Sequence, residues 1–147
     1  MCKILSQVFS SSLDIVPVTL ATVHTLAAEP AAILVNITSL AYADKYFPNS
    51  QIIFARRFLD SNHLHRLLEL PEGTPVLVAN KPRRNAEDLV ENLQQLGINH
   101  LNYIPYWPGC DIDTTPYDTV VYAGFRSYCP ENKNVYINLG YRNITPS

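Results

Sequence analysis

Apolar residues recur along the chain in two rhythms. From Ser12 to Glu29 they fall at Leu13, Val16, Leu20, Val23 and Leu26-Ala27, and gaps of three and four put them on one helix face. Ser12 or Asp14 is placed to cap that helix, Pro17 is tolerated in its first turn, and Pro30 stops it. Beyond Pro30 the rhythm changes to short continuous runs rich in branched residues: "AAILVNI" at 31–37, "NSQIIFA" at 49–55, "PVLVAN" at 75–80, "HLNYIPY" at 100–106, "DTVVYAG" at 118–124 and "NVYINLG" at 134–140. Runs of this length and composition read as buried strands.

Helical stretches separate several of them. "TSLAYADKYF" opens at Thr38 or Ser39, and "DSNHLHRLLEL" opens at Asp60 or Ser61. "PRRNAEDLVENLQQLG" has Pro82 in its first turn, an apolar stripe at Ala86, Leu89, Val90, Leu93 and Leu96, and Gly97 where a left-handed residue ends a helix. "PEGT" at 71–74 is a turn. Apolar strands alternating with helices predict an α/β fold: a three-layer αβα sandwich, Rossmann-like or flavodoxin-like, around a mostly parallel sheet of five to six strands. The 147 residues suit one domain, and there is no repeat or low-complexity linker to divide them.

Composition narrows the function. The apolar fraction of 47% against 16% charged argues against wholesale disorder. A net charge of −2, with its densest basic groups at Arg56-Arg57 and Lys81 to Arg84, gives no footprint for neutralising nucleic-acid phosphates. No apolar run reaches the roughly 20 residues needed to cross a bilayer. Asp14 and Pro17 break the apolar stretch that a signal peptide would need. Cys2, Cys110 and Cys129 form no zinc-type spacing, and reduced thiols in a cytoplasm are the simplest expectation.

In an open parallel sheet, ligands bind beyond the carboxyl ends of the strands. Those ends carry Asn36 and Thr38, Arg56-Arg57, Asn80-Lys81, the "PYWPGC" stretch with Tyr106 and Trp107, Gly124-Phe125-Arg126, and Gly140-Tyr141-Arg142. An amide both donates and accepts, and a guanidinium presents a planar fork, so the set suits a small anion such as a carboxylate. The candidate ligand-binding residues are therefore Asn36, Thr38, Arg56, Asn80, Tyr106, Trp107, Arg126 and Arg142. Each also has a plain structural reading as a turn former, a solvated arginine or a ring covering the sheet's end.

Signatures of catalysis are missing. There is no GxGxxG, no GxxxxGK[ST] and no GxSxG. His63 and His65 sit two apart, on different faces of a helix. Cys110 has no identifiable base, so neither a catalytic residue nor a metal or other cofactor is expected.

The block from Phe54 to Gly109 and the later "VYINLGYRNI" resemble the N-terminal sensory region of some bacterial sigma-54-dependent transcription activators, distantly like the propionate-catabolism activator's sensor. The elements that carry this are Leu70 to Thr74, the strand ending at Asn80, Leu96 to Asn99, Pro105 to Gly109, and Ile137 to Gly140 with Arg142. The resemblance spans roughly residues 31 to 145 and implies a cytoplasmic signal-input module that takes a small-molecule effector. It also implies downstream PAS and AAA+ domains in a longer regulator, of which this chain would be a fragment. The segment from Gly109 to Tyr117 is short for that pattern, and ligand residues do not carry over. The alternatives are a dimerisation module without ligand, and a small α/β enzyme using Cys110 or Asp113.

Overall fold

A computed structural model describes residues 13–144, which divide into two compact units, one of 13–35 with 39–54 and the other of 36–38 with 55–144. The fold is α/β, with parallel strands and helices mixed as the sequence pattern predicts, but the sheets are smaller than five to six strands.

The smaller unit holds strand β1 (Ala32–Val35), helix α1 (Leu40–Tyr46) and strand β2 (Gln51–Phe54). The two strands are parallel, with Ala32 opposite Gln51 and Val35 opposite Phe54. Glu29 braces the turn that enters β2. Its Oε1 accepts the Asn49 backbone N–H at 2.7 Å and its Oε2 accepts the Asn49 side-chain amide at 2.9 Å.

The helix expected from Ser12 to Glu29 does not form over the described part of that stretch; Ser12 itself lies outside the described residues. Only a single 3-10 turn appears, at Val23–Thr25, and Leu13, Val16 and Leu20 are exposed. The apolar spacing is helical, but the residue types, in the stripe and between it, are not. Pro17 removes a donor, and Val16, Val18, Thr19, Thr22, Val23 and Thr25 are β-branched. The threonine hydroxyls bond locally: Thr22 Oγ1 accepts the Thr19 N–H at 3.0 Å, and Thr25 Oγ1 donates to the Thr22 carbonyl at 2.7 Å. Such bonds offer the backbone an alternative to the helical ladder.

The larger unit is built on β4 (Pro75–Ala79), α3 (Arg83–Gln95), β5 (Asn102–Tyr106), β6 (Thr119–Tyr122) and β7 (Val135–Asn138). Before them come β3 (Arg57–Phe58), a 3-10 turn at Ser61–His63 and the short helix α2 (His65–Leu68); after them comes β8 (Asn143–Ile144). The helix read through "DSNHLHRLLEL" is thus two short pieces, with Asp60 Oδ1 accepting the Asn62 N–H at 2.9 Å at its start.

The main sheet is parallel, in the order β5-β4-β6-β7. β4 is central because its run is apolar on both faces. Val76 and Val78 join Leu89 and Leu93 of α3, with Leu67, Val121 and Ile137, in one core. Leu77 and Ala79 join Val120 in a second core on the other face. There the cover is drawn from the connecting segments, with Ile112, Tyr117 and Cys129 packing against it. β5 lies at the edge, where Pro105 is tolerated without a donor. α3 ends as read: the Gly97 N–H bonds the Gln94 carbonyl at 2.9 Å and Gly97 has a φ of 81°. Leu96, assigned to the apolar stripe, is 47% exposed because the helix has ended there and Ile98 takes the buried position.

β3 and β8 form a separate antiparallel pair, with Arg57 opposite Ile144 and Phe58 opposite Asn143. Among the described residues, no helix is long and apolar enough to cross a membrane.

Candidate functional site

β4 leads through α3 to β5 on one side, and the chain then returns to place β6 on β4's other side. The direction of winding reverses between β4 and β6. At such a switch point the two connections leave in opposite directions and open a crevice beyond the strand ends. A cavity of about 190 Å³ lies there, lined by Arg57, Asn80, Lys81, Asn85, Ala123, Phe125, Tyr128, Tyr141 and Arg142.

Two arginines form its basic side. Arg57 comes from β3 and Arg142 from the segment just before β8, so the antiparallel pairing of these short strands draws them together across 85 residues of chain. Each is held by α3. Asn85 Oδ1 accepts from Arg57 Nη2, and the Asn85 amide donates to the Lys81 carbonyl at 2.9 Å. Asp88 Oδ2 accepts from Arg142 Nη1. Asn85 and Asp88 are three residues apart on the helix and share a face. The Arg142 side chain is 3% exposed and that of Asp88 18%, so this ion pair is largely withdrawn from water.

The electrostatics follow from that burial. Desolvation pulls the Arg57 guanidinium below its ordinary range, against the attraction of Asp88. Desolvation does the same at Arg142, reinforced by the like charge of Arg57 and opposed by Asp88. Guanidinium pKa values are high enough that both stay charged. The cluster therefore carries two cations against one carboxylate, with exposed Lys81 adding a third cation at the rim. α3 starts at this edge with no acidic residue in its first turn, and its dipole adds positive potential.

The opposite wall is aromatic. The Phe125 ring lies 5.5 Å from that of Tyr128 and 5.9 Å, edge to face, from that of Tyr141. Gly124 makes this possible. Its φ of 90° suits a residue without Cβ, and a Cβ there would lie 2.9 Å from Tyr141 Cε1. Asn138 ties the two strand ends behind the wall, its Oδ1 accepting the Gly140 N–H at 2.9 Å and the Gly124 N–H at 3.4 Å.

Of the residues singled out from sequence, Asn80 and Arg142 line the cavity. Asn80 is buried, and its Oδ1 accepts the Lys81 N–H at 2.8 Å. Arg56 is exposed and it is its neighbour Arg57 that reaches the cavity. Arg126 is exposed and lies over the Tyr136 ring. Asn36 and Thr38 close a local turn, Asn36 Oδ1 accepting the Thr38 N–H at 3.0 Å and its hydroxyl at 2.7 Å. Tyr106 packs on the second core, and Trp107 is covered by the Arg83 guanidinium 5.2 Å from its ring centre. None of these last six lines the cavity.

Sequence reasoning placed Arg57, Lys81, Phe125 and Tyr141 in the right stretches without singling them out. It missed Asn85, Asp88 and Tyr128. The available signal was at the start of α3, where Asn85 and Asp88 sit on the polar edge of the apolar stripe, one turn in from the strand end.

The residues named for an enzyme lie elsewhere. Asp113 Oδ1 accepts the Thr115 N–H at 2.9 Å within a loop, and Cys110 closes a turn through its N–H to the Trp107 carbonyl at 3.1 Å. Burial pushes the Cys129 thiol up to about 11, so little of it is thiolate at neutral pH. No group of histidine, cysteine and acidic side chains suited to a metal ion occurs among the described residues. No protein-family model, curated protein or solved structure matches this chain.

Proposed function

We propose that this chain is the signal-input domain of a bacterial sigma-54-dependent transcription regulator, and that it binds a small anionic metabolite in the switch-point cavity. The observation that carries the binding reading is the pair of arginines beside an open cavity, Arg142 buried against Asp88 and Arg57 half-buried against the neutral Asn85, with one carboxylate between the two charges. Keeping like charges together out of water is costly, and a second carboxylate supplied by a ligand would offset that cost. Asn80 uses its side-chain oxygen on the Lys81 backbone, which leaves its amide NH₂ as a donor for the same ligand. The regulatory assignment rests on the family-like blocks, several of which end at this edge. Downstream PAS and AAA+ domains would receive the signal, and this domain itself would touch neither nucleic acid nor membrane.

Calorimetric titration with a panel of small organic acids tests the reading. At least one should bind, and Arg57→Gln should weaken that binding by about tenfold or more, the scale of one charge-assisted hydrogen bond. A panel in which nothing binds would remove the ligand.

A second reading has its own observation. In the smaller unit β2 leaves Ile52, Ile53 and Phe54 at 37%, 47% and 36% exposure, so consecutive residues offer apolar surface on both faces of the strand. Homodimerisation through this strand would cover them. Light scattering at rising concentration checks it, a strict monomer counting against it.

A further inference from the structure

We propose that the ligand of the switch-point cavity is a planar monoanion, an aromatic carboxylate, with its carboxylate between Arg57 and Arg142 and its ring against Phe125, Tyr128 and Tyr141. This rests on the anion-binding reading above and adds the chemical class. The charge count sets the first limit. Buried Arg142, half-buried Arg57 and Asp88 together lack one negative charge, and one carboxylate supplies it. The second charge of a phosphate ester or dicarboxylate would meet exposed, already solvated Lys81 and the partial charge of the α3 N-terminus, with no further guanidinium in the cavity lining to pair it.

Size sets the second limit. About 190 Å³ is less than the roughly 300–1,000 Å³ of pockets for drug-sized ligands, which leaves room for a body of about one ring. The wall sets the third. Phe125 is 53% exposed and Tyr141 68%, yet the two stand edge to face at an interplanar angle of 81°. They offer both a ring face and a ring edge to an incoming ring, the arrangement in which aromatic pairs gain beyond the burial of area. A guanidinium floor and an aromatic wall thus select for the two ends of one small molecule.

The test is calorimetric titration of the full 147-residue chain with benzoate, cyclohexanecarboxylate and inorganic phosphate. Benzoate should bind, cyclohexanecarboxylate should bind roughly three- to tenfold more weakly for want of ring-to-ring contact, and phosphate more weakly still. Phe125→Leu changes an exposed residue and keeps its apolar bulk. It should shrink the preference for benzoate over cyclohexanecarboxylate, Tyr128 and Tyr141 keeping the remainder. Equal affinity for both carboxylates in the unaltered chain, phosphate as the tightest binder, or a preference for benzoate that Phe125→Leu leaves undiminished would each overturn the aromatic monoanion and leave anion sensing standing. Failure of all three anions to bind would overturn both.

Discussion

Arg142 donates to Asp88 within a cluster that holds one cation more than it holds carboxylates. The pair thus does two opposed things. It relieves the burial of Arg142, and it draws off positive potential that would otherwise act on a bound anion.

Replacing Asp88 should separate these effects. Asp88→Ala leaves Arg142 buried without its partner and is expected to cost about 3 kcal/mol in urea unfolding, the lower end for breaking a buried pair. The same variant should bind benzoate at least several-fold more tightly, and saturating benzoate should recover part of the lost stability. A variant that loses stability and affinity together would mean that Asp88 shapes the site instead of competing with its ligand.

At Gly124 the expectation concerns shape. Gly124→Ala puts a Cβ into a backbone at φ 90° and within 2.9 Å of the Tyr141 ring. A cost of about 1–3 kcal/mol is expected from the backbone and the displaced ring together. Tyr141→Ala made alongside should cancel the ring's share, so the double variant should cost less than the sum of the two single ones. Strict additivity in thermal unfolding would show that the ring does not rest on this glycine.

Acid should act on the smaller unit through Glu29. Hydrogen bonds from the Asn49 side chain and backbone hold the Glu29 carboxyl below its ordinary value. A depressed carboxylate contributes stability above its unfolded value and loses it as pH falls through the folded one. The Asn49 amide resonance should therefore move in that acid window, and Glu29→Gln should abolish the transition. An Asn49 resonance that stays fixed through the window would contradict the bracing role.

Base should reach Tyr103 late. Burial pushes its phenol up to about 12, and its hydroxyl donates to the Ile98 carbonyl at 3.0 Å. The unfolded chain loses this proton near 10.0 and the folded chain near 12, so stability falls as pH rises between them. Tyr103→Phe should flatten that part of the stability profile. In spectrophotometric titration, Tyr103→Phe should remove a late-ionising tyrosine and leave the number ionising in the ordinary range unchanged.

How far the fold could be read from sequence depended on whether the cause was local. β4 was legible because "PVLV" is apolar on both faces, and α3 because Pro82 and Gly97 bracket an uninterrupted stripe. The stretch from Leu13 to Glu29 has the same spacing but many β-branched residues and a proline, and the local chemistry outweighed the period. The site was half legible. The strand-end rule located Asn80 and Arg142. It could not choose Arg57 over Arg56, since that choice is made by a two-residue strand whose partner lies at Asn143–Ile144. Asp88 was hidden for the same reason, its arginine standing 54 positions away.

The antiparallel meeting of β3 and β8 also bears on engineering. Backbone near Arg57 and backbone near Ile144 run side by side, so the stretch from β3 to β8 begins and ends at one doorway. Such a piece can be spliced into a surface loop of a host protein without forcing that loop apart, or have its two ends fused and be reopened elsewhere. Because Arg57 and Arg142 sit at that doorway, tension across the splice would be felt first by the two guanidinium groups.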